Sequence, residues 1–246
     1  MEKEIIKYLK FCKSKNLNNK TIRLYKAILY TYLNSKSLEN MLNIIKSKKP
    51  GTQYIYKAVL INFLEFIHDK EKANRAKLFK NETQGTIYRK VLSKEYIEYR
   101  LKENTTDDEK TKFIKNLFLF IFQTGIRADE INHIVENNGH IIIKGKGSKF
   151  REIIYKKETW AKIKPLLFKY KWMLSYPNLL RYIKIIFNDK EVGVHTLRRS
   201  FATHMLIAGA NPKTVQMQMG HTDINTTYKY LNLSYKKNAE EYNKYM

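Results

Sequence analysis

Between residues 127 and 230 the chain carries a set of side chains suited to chemistry on a phosphate. His195, Arg198, His221 and Tyr230 fall in that order within thirty-six residues, Arg127 lies in Thr124-Gly-Ile-Arg-Ala-Asp-Glu130, and Lys146 sits in a Gly145-Lys-Gly147 turn. Guanidinium groups hold an anionic phosphodiester through forked hydrogen bonds and neutralise the charge that grows on it. A lysine or histidine moves a proton to or from an oxygen, and a phenol becomes a nucleophile once its proton is taken.

Spacing says how these groups are held. Arg127 and Glu130 are three apart and so share a helix face, where the carboxylate can orient the guanidinium. His195 and Arg198 repeat that interval at the start of a helix that runs through Phe201, Met205 and Leu206 and stops at Gly209. Asn211-Pro212 opens another helix, with a cap and a proline at its first position, and Gly220 ends it. His221 then stands in a turn, presented by backbone geometry and not buried in a helix face. Asp223 or Asn225 can cap a short helix bearing Tyr228 and Tyr230. Each signal alone has a plainer explanation. Arg127 and Glu130 make an ordinary surface ion pair, His68, His133, His140 and His204 read as structural, and most of the 18 tyrosines must be packing residues. The joint pattern carries the weight.

Around these residues lies a chain of 246 with 43% hydrophobic residues, enough for one large or two small domains with real cores. Its 47 basic and 23 acidic side chains leave a formal charge of +24, which favours a polyanionic partner and says nothing about catalysis. A lysine-rich proteome would also give such a charge. The single cysteine, Cys12, excludes an internal disulfide framework and a cysteine metal cluster, and it falls on an apolar stripe with Ile5, Ile6 and Leu9. The start Met-Glu-Lys-Glu is no signal peptide, and the longest strongly apolar run, 117–122, is far short of the roughly 20 residues that span a bilayer. A soluble, cytoplasmic, nucleoid-associated protein is expected, with no membrane partner.

The fold expected is mainly α with a small β-hairpin or sheet, in two domains. Residues 1–80 read as amphipathic helices at about 2–14, 19–32, 38–47 and 52–68, with Lys49-Pro50-Gly51 as a stop and basic residues on their outer faces. Such a bundle is either a set of solvated helices or a grip on DNA backbone, or both. Residues 81–91 have linker composition. Residues 92–246 open with a polar helix near Ser93, then a strongly apolar helix at 110–124. Residues 140–155 read as strand, glycine turn, strand, and the chain after Lys157 is helical.

The two segments His195-Thr-Leu-Arg198-Arg-Ser-Phe-Ala-Thr-His204 and Gly220-His221-Thr-Asp-Ile-Asn-Thr-Thr-Tyr-Lys-Tyr230 resemble the tyrosine recombinases of the phage integrase family, in size most similar to small Xer-type enzymes. The family's His-x-x-Arg box matches His195 and Arg198, and its Leu-Gly-His box matches Met219-Gly220-His221. Its nucleophilic tyrosine lies nine residues beyond that histidine, which selects Tyr230 over Tyr228. The first family arginine matches Arg127, with Glu130 behind it. The hairpin lysine matches Lys146, with Lys144 and Lys149 as fallbacks. The likeness is close over 92–246. Over the N-terminal part it is one of pattern only, including Lys20-Thr-Ile-Arg-Leu-Tyr25. Arg199 stands where many members have histidine, Met219 replaces a leucine, and the interval from Arg127 to Lys146 is short.

The resemblance implies a site-specific DNA recombinase that cuts and rejoins strands through a covalent 3′-phosphotyrosyl intermediate, without ATP or other cofactor. Its partner would be double-stranded DNA with specific recombination sites. The active assembly would be a tetramer in which the tail 231–246 docks as a helix on a neighbour. With no carboxylate pair or Cys/His cluster beside the set, no catalytic metal is expected. Two rival readings use the same features: a type IB topoisomerase-like nicking and closing enzyme, and a basic DNA-binding protein with an idle site.

Overall fold

The computed structural model describes residues 1–82, 89–145, 150–228 and 230. It divides into two compact units, Met1–Ile87 and Tyr88–Met246, and it is mainly helical with one small sheet, as the sequence leads one to expect.

The described part of the first unit holds helices α1 (Glu2–Ser14), α2 (Asn19–Ser35), α3 (Leu38–Lys46), α4 (Pro50–Phe66) and α5 (Lys70–Leu78). Asn18, Ser37 and Asp69 cap α2, α3 and α5 by accepting a backbone N–H of the first turn. Each such cap contributes about 1 kcal/mol. Ile5, Tyr8, Cys12, Ile28, Leu29, Tyr32, Met41, Leu60 and Phe63 form the core. The inward stripe of α1 is Ile5, Tyr8 and Cys12, whereas Ile6 is exposed, because Tyr8 stacks against Tyr25 and meets Phe63 edge-on. Helix α3 ends before Lys49-Pro50-Gly51, as expected, but two points differ. Helix α4 begins at Pro50 itself and not near residue 52, since the first turn of a helix needs no N–H there. The helix α5 is also absent from the sequence reading, because it buries only the small side chains Ala73 and Ala76 and shows no large apolar stripe.

In the second unit, α6 (Lys94–Leu101) is followed by α7 (Glu109–Thr124), whose Phe113, Leu117, Phe118, Phe120 and Ile121 are all buried. A helix apolar on every side belongs at the centre of its unit. A 3₁₀ turn, Ala128–His133, leads into strands β1 (Ile134–Asn137), β2 (His140–Lys144) and β3 (Phe150–Ile153), which form an antiparallel sheet in that order. The strand β1 is a further element beyond the expected hairpin. Asn138 and Gly139 join it to β2 with φ of 49° and 78°, the two-residue turn that positive φ at both positions permits. Helices α8 (Lys157–Ile163), α9 (Tyr176–Phe187), α10 (Val194–Ile207), α11 (Pro212–Met219) and α12 (Asn225–Tyr228) complete the described chain. Among the described residues no helix is long and apolar enough to cross a membrane.

Helix α10 lies against α7, and the two approach closely at Gly125, which closes α7 in the left-handed conformation with φ of 66°. A Cβ there would stand 2.3 Å from the Phe201 ring. Helix α10 also holds the entering segment of this unit: Ser200 Oγ accepts the Leu92 N–H, His204 Nε2 meets the Leu92 carbonyl at 2.7 Å, and Arg199 donates to the Lys90 carbonyl. Gly125→Ala is expected to lower stability by about 2 kcal/mol or more, from left-handed backbone strain plus overpacking. The check is the midpoint of urea unfolding at unchanged slope.

Candidate active site

The last turn of α11 ends in three carbonyl groups that face guanidinium groups from three different elements. Arg198, on α10, donates to the Met219 carbonyl at 2.9 Å and to the carbonyl of Gly125. Arg127, just after α7, reaches the Gly220 carbonyl at 3.2 Å. Arg151, on β3, donates through Nε to the Gln218 carbonyl at 3.1 Å. Carbonyls at helix C-termini carry partial negative charge and lack partners within the helix, so they suit cations.

Among the described residues Glu130 is the one carboxylate hydrogen-bonded into this group, and it is buried. Its Oε2 accepts the Arg127 backbone N–H at 2.7 Å and Arg151 Nη2 at 2.7 Å, and its Oε1 accepts Nη1 of both arginines at 2.9 Å. The Arg127–Glu130 pair is therefore not a surface ion pair. Nor do the two share an α-helical face: Arg127 precedes the 3₁₀ turn and Glu130 is its third residue, folding back onto the Arg127 amide. Burial alone would raise the Glu130 carboxyl, but hydrogen bonds from Arg151 and from the Arg127 backbone and side chain outweigh it and hold the group down to about 2.

Arg198 is 5% exposed, and among the described residues it pairs with carbonyls only. Burial, then the like charge of Arg127, pulls its guanidinium down to about 9. A buried arginine in such a setting is poised to receive an anion.

His195, in the first turn of α10, keeps an exposed edge and has the Tyr176 ring at 6.1 Å. The protein crowded round the rest of its ring, then Arg198, Arg199 and Arg127, lowers its pKa from the usual histidine value. His221 follows Gly220 in a turn, as its sequence position suggests, but it is buried. Gln216 accepts the His221 N–H on its backbone carbonyl and donates from Nε2 to the His221 carbonyl, while Nδ1 lies 2.9 Å from Thr227 Oγ1. Burial, followed by Arg198 and Arg127, brings the imidazole down to about 4, so it is neutral at pH 7. Tyr230 lies half-buried with its ring stacked on that of His221, 19° from parallel at 6.1 Å. Tyr228 is exposed.

The structure thus brings together Arg127, Glu130, Arg198, His221 and Tyr230, with His195 beside Arg198. Lys146 and Lys149 lie outside the described residues, as does the tail 231–246. The fallback Lys144 is exposed, with its ammonium over the Phe150 ring at 6.0 Å. Arg151, Gln218 and Thr227 are part of the arrangement but absent from the sequence reading. Arg151 had a signal: it alternates with Phe150 and Glu152 on the same strand face as Ile153, an inward position. Among the described residues no group of three or more histidine, cysteine or acidic side chains is placed to share a metal ion.

These arginines at the end of α11, with Tyr230 stacked on His221 beside them, fit a catalytic unit of the tyrosine recombinase class. Residues 90–237 match the phage integrase family. The chain is 24% identical to the tyrosine recombinase XerC of Staphylococcus aureus (strain JH9) over 263 residues, covering 94% of this chain and 84% of that protein. In fold it is similar to the XerH site-specific recombinase bound to a palindromic difH substrate, in a post-cleavage complex, with 20% identity, a TM-score of 0.65, and 94% and 82% of the two chains covered. It is also similar to a lambda integrase tetramer bound to a Holliday junction, with 16% identity, a TM-score of 0.70, and 90% and 77% covered. The chain belongs to the phage integrase family, and its activity is site-specific DNA recombination by a tyrosine mechanism.

The His221 setting fixes the sign of a pH effect. Its pKa is lower folded than unfolded, so between about 6.5 and 4 the unfolded chain binds the extra proton and stability falls as pH falls. His221→Gln is expected to flatten the loss between pH 6.5 and 5, read from urea midpoints across that range.

Proposed function

We propose that Arg127, Lys146, His195, Arg198, His221 and Tyr230 carry the strand exchange and that Glu130 orients Arg127. The observation that supports this most is the buried Arg198, which among the described residues pairs only with carbonyls, beside Arg127 and close to the stacked His221 and Tyr230. In the reaction Tyr230 Oη attacks the scissile phosphorus as its proton passes to His195. That histidine is neutral at pH 7 through its lowered pKa and is able to act as base. The bond from phosphorus to the 5′ oxygen breaks, and that oxygen takes a proton from Lys146. Arg127 and Arg198 neutralise the non-bridging oxygens as charge builds. His221, with Nδ1 occupied by Thr227, offers Nε2 to the same phosphate. The 3′-phosphotyrosyl bond retains the energy of the phosphodiester, so a free 5′-hydroxyl reverses the step with no other input.

The partner proposed is double-stranded DNA carrying specific recombination sites, and the charge of +24 favours it. The unit 1–80 serves as a helical DNA-binding domain, 81–91 as linker and 92–246 as the catalytic domain. The working assembly is a tetramer, with the tail 231–246 docked on a neighbour, by analogy with the lambda integrase tetramer. The enzyme would act in the cytoplasm on the nucleoid.

Nicked suicide duplexes incubated with the protein, then run on a denaturing gel, test the assignment. A covalent adduct is expected with wild type and with Tyr228→Phe, and none with Tyr230→Phe, whose DNA affinity stays nearly unchanged; the reverse pattern would move the nucleophile. Lys146→Ala is expected to cleave on the order of 10²–10⁴-fold more slowly. A 5′-bridging phosphorothiolate, whose thiolate leaves without a proton, should restore its rate. Absence of that rescue would place the acid on another residue.

A further inference from the structure

Among the described arginines of the site, Arg151 is the one with a partner on every nitrogen. Its three nitrogens give three hydrogen bonds: Nη1 and Nη2 to the two oxygens of Glu130, at 2.9 and 2.7 Å, and Nε to the Gln218 carbonyl at 3.1 Å. Its guanidinium also lies flat against Gly220. A Cβ on Gly220 would meet Arg151 Nη1 at 2.6 Å and Cζ at 2.7 Å, so the glycine before His221 is needed for this contact as well as for its φ of 66°. Beside it, Gln218 accepts the Ile154 N–H at 2.9 Å and donates to the Ile154 carbonyl at 2.7 Å, which fastens the end of β3 to α11 twice more.

We infer that Arg151 is a positioning residue for the reaction: it holds Glu130 so that Glu130 can aim Arg127, and it ties the sheet to the α11 terminus that presents Arg198 and His221. It acts behind Glu130 and not on the phosphate: three of its five N–H donors, one on each nitrogen, are bound within the protein. It acts on charge as well as on geometry. Glu130 has two arginine partners, so its negative charge is shared, and Arg127 keeps more of its positive charge for the substrate than a simple Arg–Glu pair would leave. Without Arg151, a buried carboxylate would face Arg127 alone and draw its guanidinium away from the reacting phosphate.

This rests on the assignment of the reaction proposed above, and the experiment separates the two. Adduct formation is timed with two suicide duplexes: one with an ordinary scissile phosphate, and one with a methylphosphonate there, whose missing non-bridging charge removes the need for neutralisation. Wild type against Tyr230→Phe reports on the reaction itself. Arg151→Met is expected to slow cleavage of the charged duplex by roughly 10²-fold, the scale at which a misplaced catalytic group is felt. On the methylphosphonate its deficit against wild type should shrink to a few-fold. Arg151→Lys, which keeps a charge but cannot bridge both Glu130 oxygens and Gln218, should behave in the same way and serves if the methionine variant folds poorly. In the background of Glu130→Gln, adding Arg151→Met should cost little more, since the two act through one contact. An equal deficit on both duplexes would reduce Arg151 to a packing residue, and no deficit on the charged duplex would also overturn the inference.

Discussion

The second unit is organised around one imbalance of charge: among the described residues three guanidinium groups, Arg127, Arg151 and Arg198, meet one carboxylate, Glu130, in a largely buried setting. Such an excess is unfavourable in the free protein, and the fold offsets it with dipoles instead of counter-charges. The carbonyls that end α7 and α11 are the natural place for this, since a helix leaves its last carbonyls unpaired. Gly125 and Gly220 let both helices stop abruptly in the left-handed conformation, which turns those carbonyls towards the arginines.

The same imbalance explains the neutral histidines. Two or more positive charges beside His221 and His195, on top of burial, lower their pKa values, so that at neutral pH neither adds charge to the site. One kind of group is thus left to neutralise and another to move protons. A phosphodiester entering the cluster brings one negative charge, and its transition state gathers more on the non-bridging oxygens. The excess that is costly without substrate becomes complementary as the reaction proceeds, which is the condition for catalysis and not merely for binding.

Much of this was legible in the linear sequence because the elements that present it are short and locally determined. Helix α10 begins at His195 and Arg198, α11 runs between Asn211-Pro212 and Gly220, and the apolar run of α7 announces a central helix. What escaped is what depends on contacts distant in sequence. Arg151 and Glu130 are twenty-one residues apart, and Arg151 and Gln218 sixty-seven. The burial of His221 also depends on contacts that spacing does not show. Other features carry local signals. Asn138-Gly139 is a strong hairpin turn and marks β1, an inward arginine among Phe150-Arg-Glu-Ile153 asks for a partner, and α5 hides because alanines alone form its buried face.

The glycine before His221 shows how one position can serve the backbone and the site together. Its left-handed φ ends α11 and throws His221 into the turn, where Thr227 and Gln216 fix it. Its missing side chain leaves the space in which the Arg151 guanidinium lies. A residue with a Cβ there would press on the same arginine that holds Glu130, and through Glu130 on Arg127. The placement of His221 and the aim of Arg127 are therefore not independent features of the site. They are joined through a single atom that the sequence leaves out.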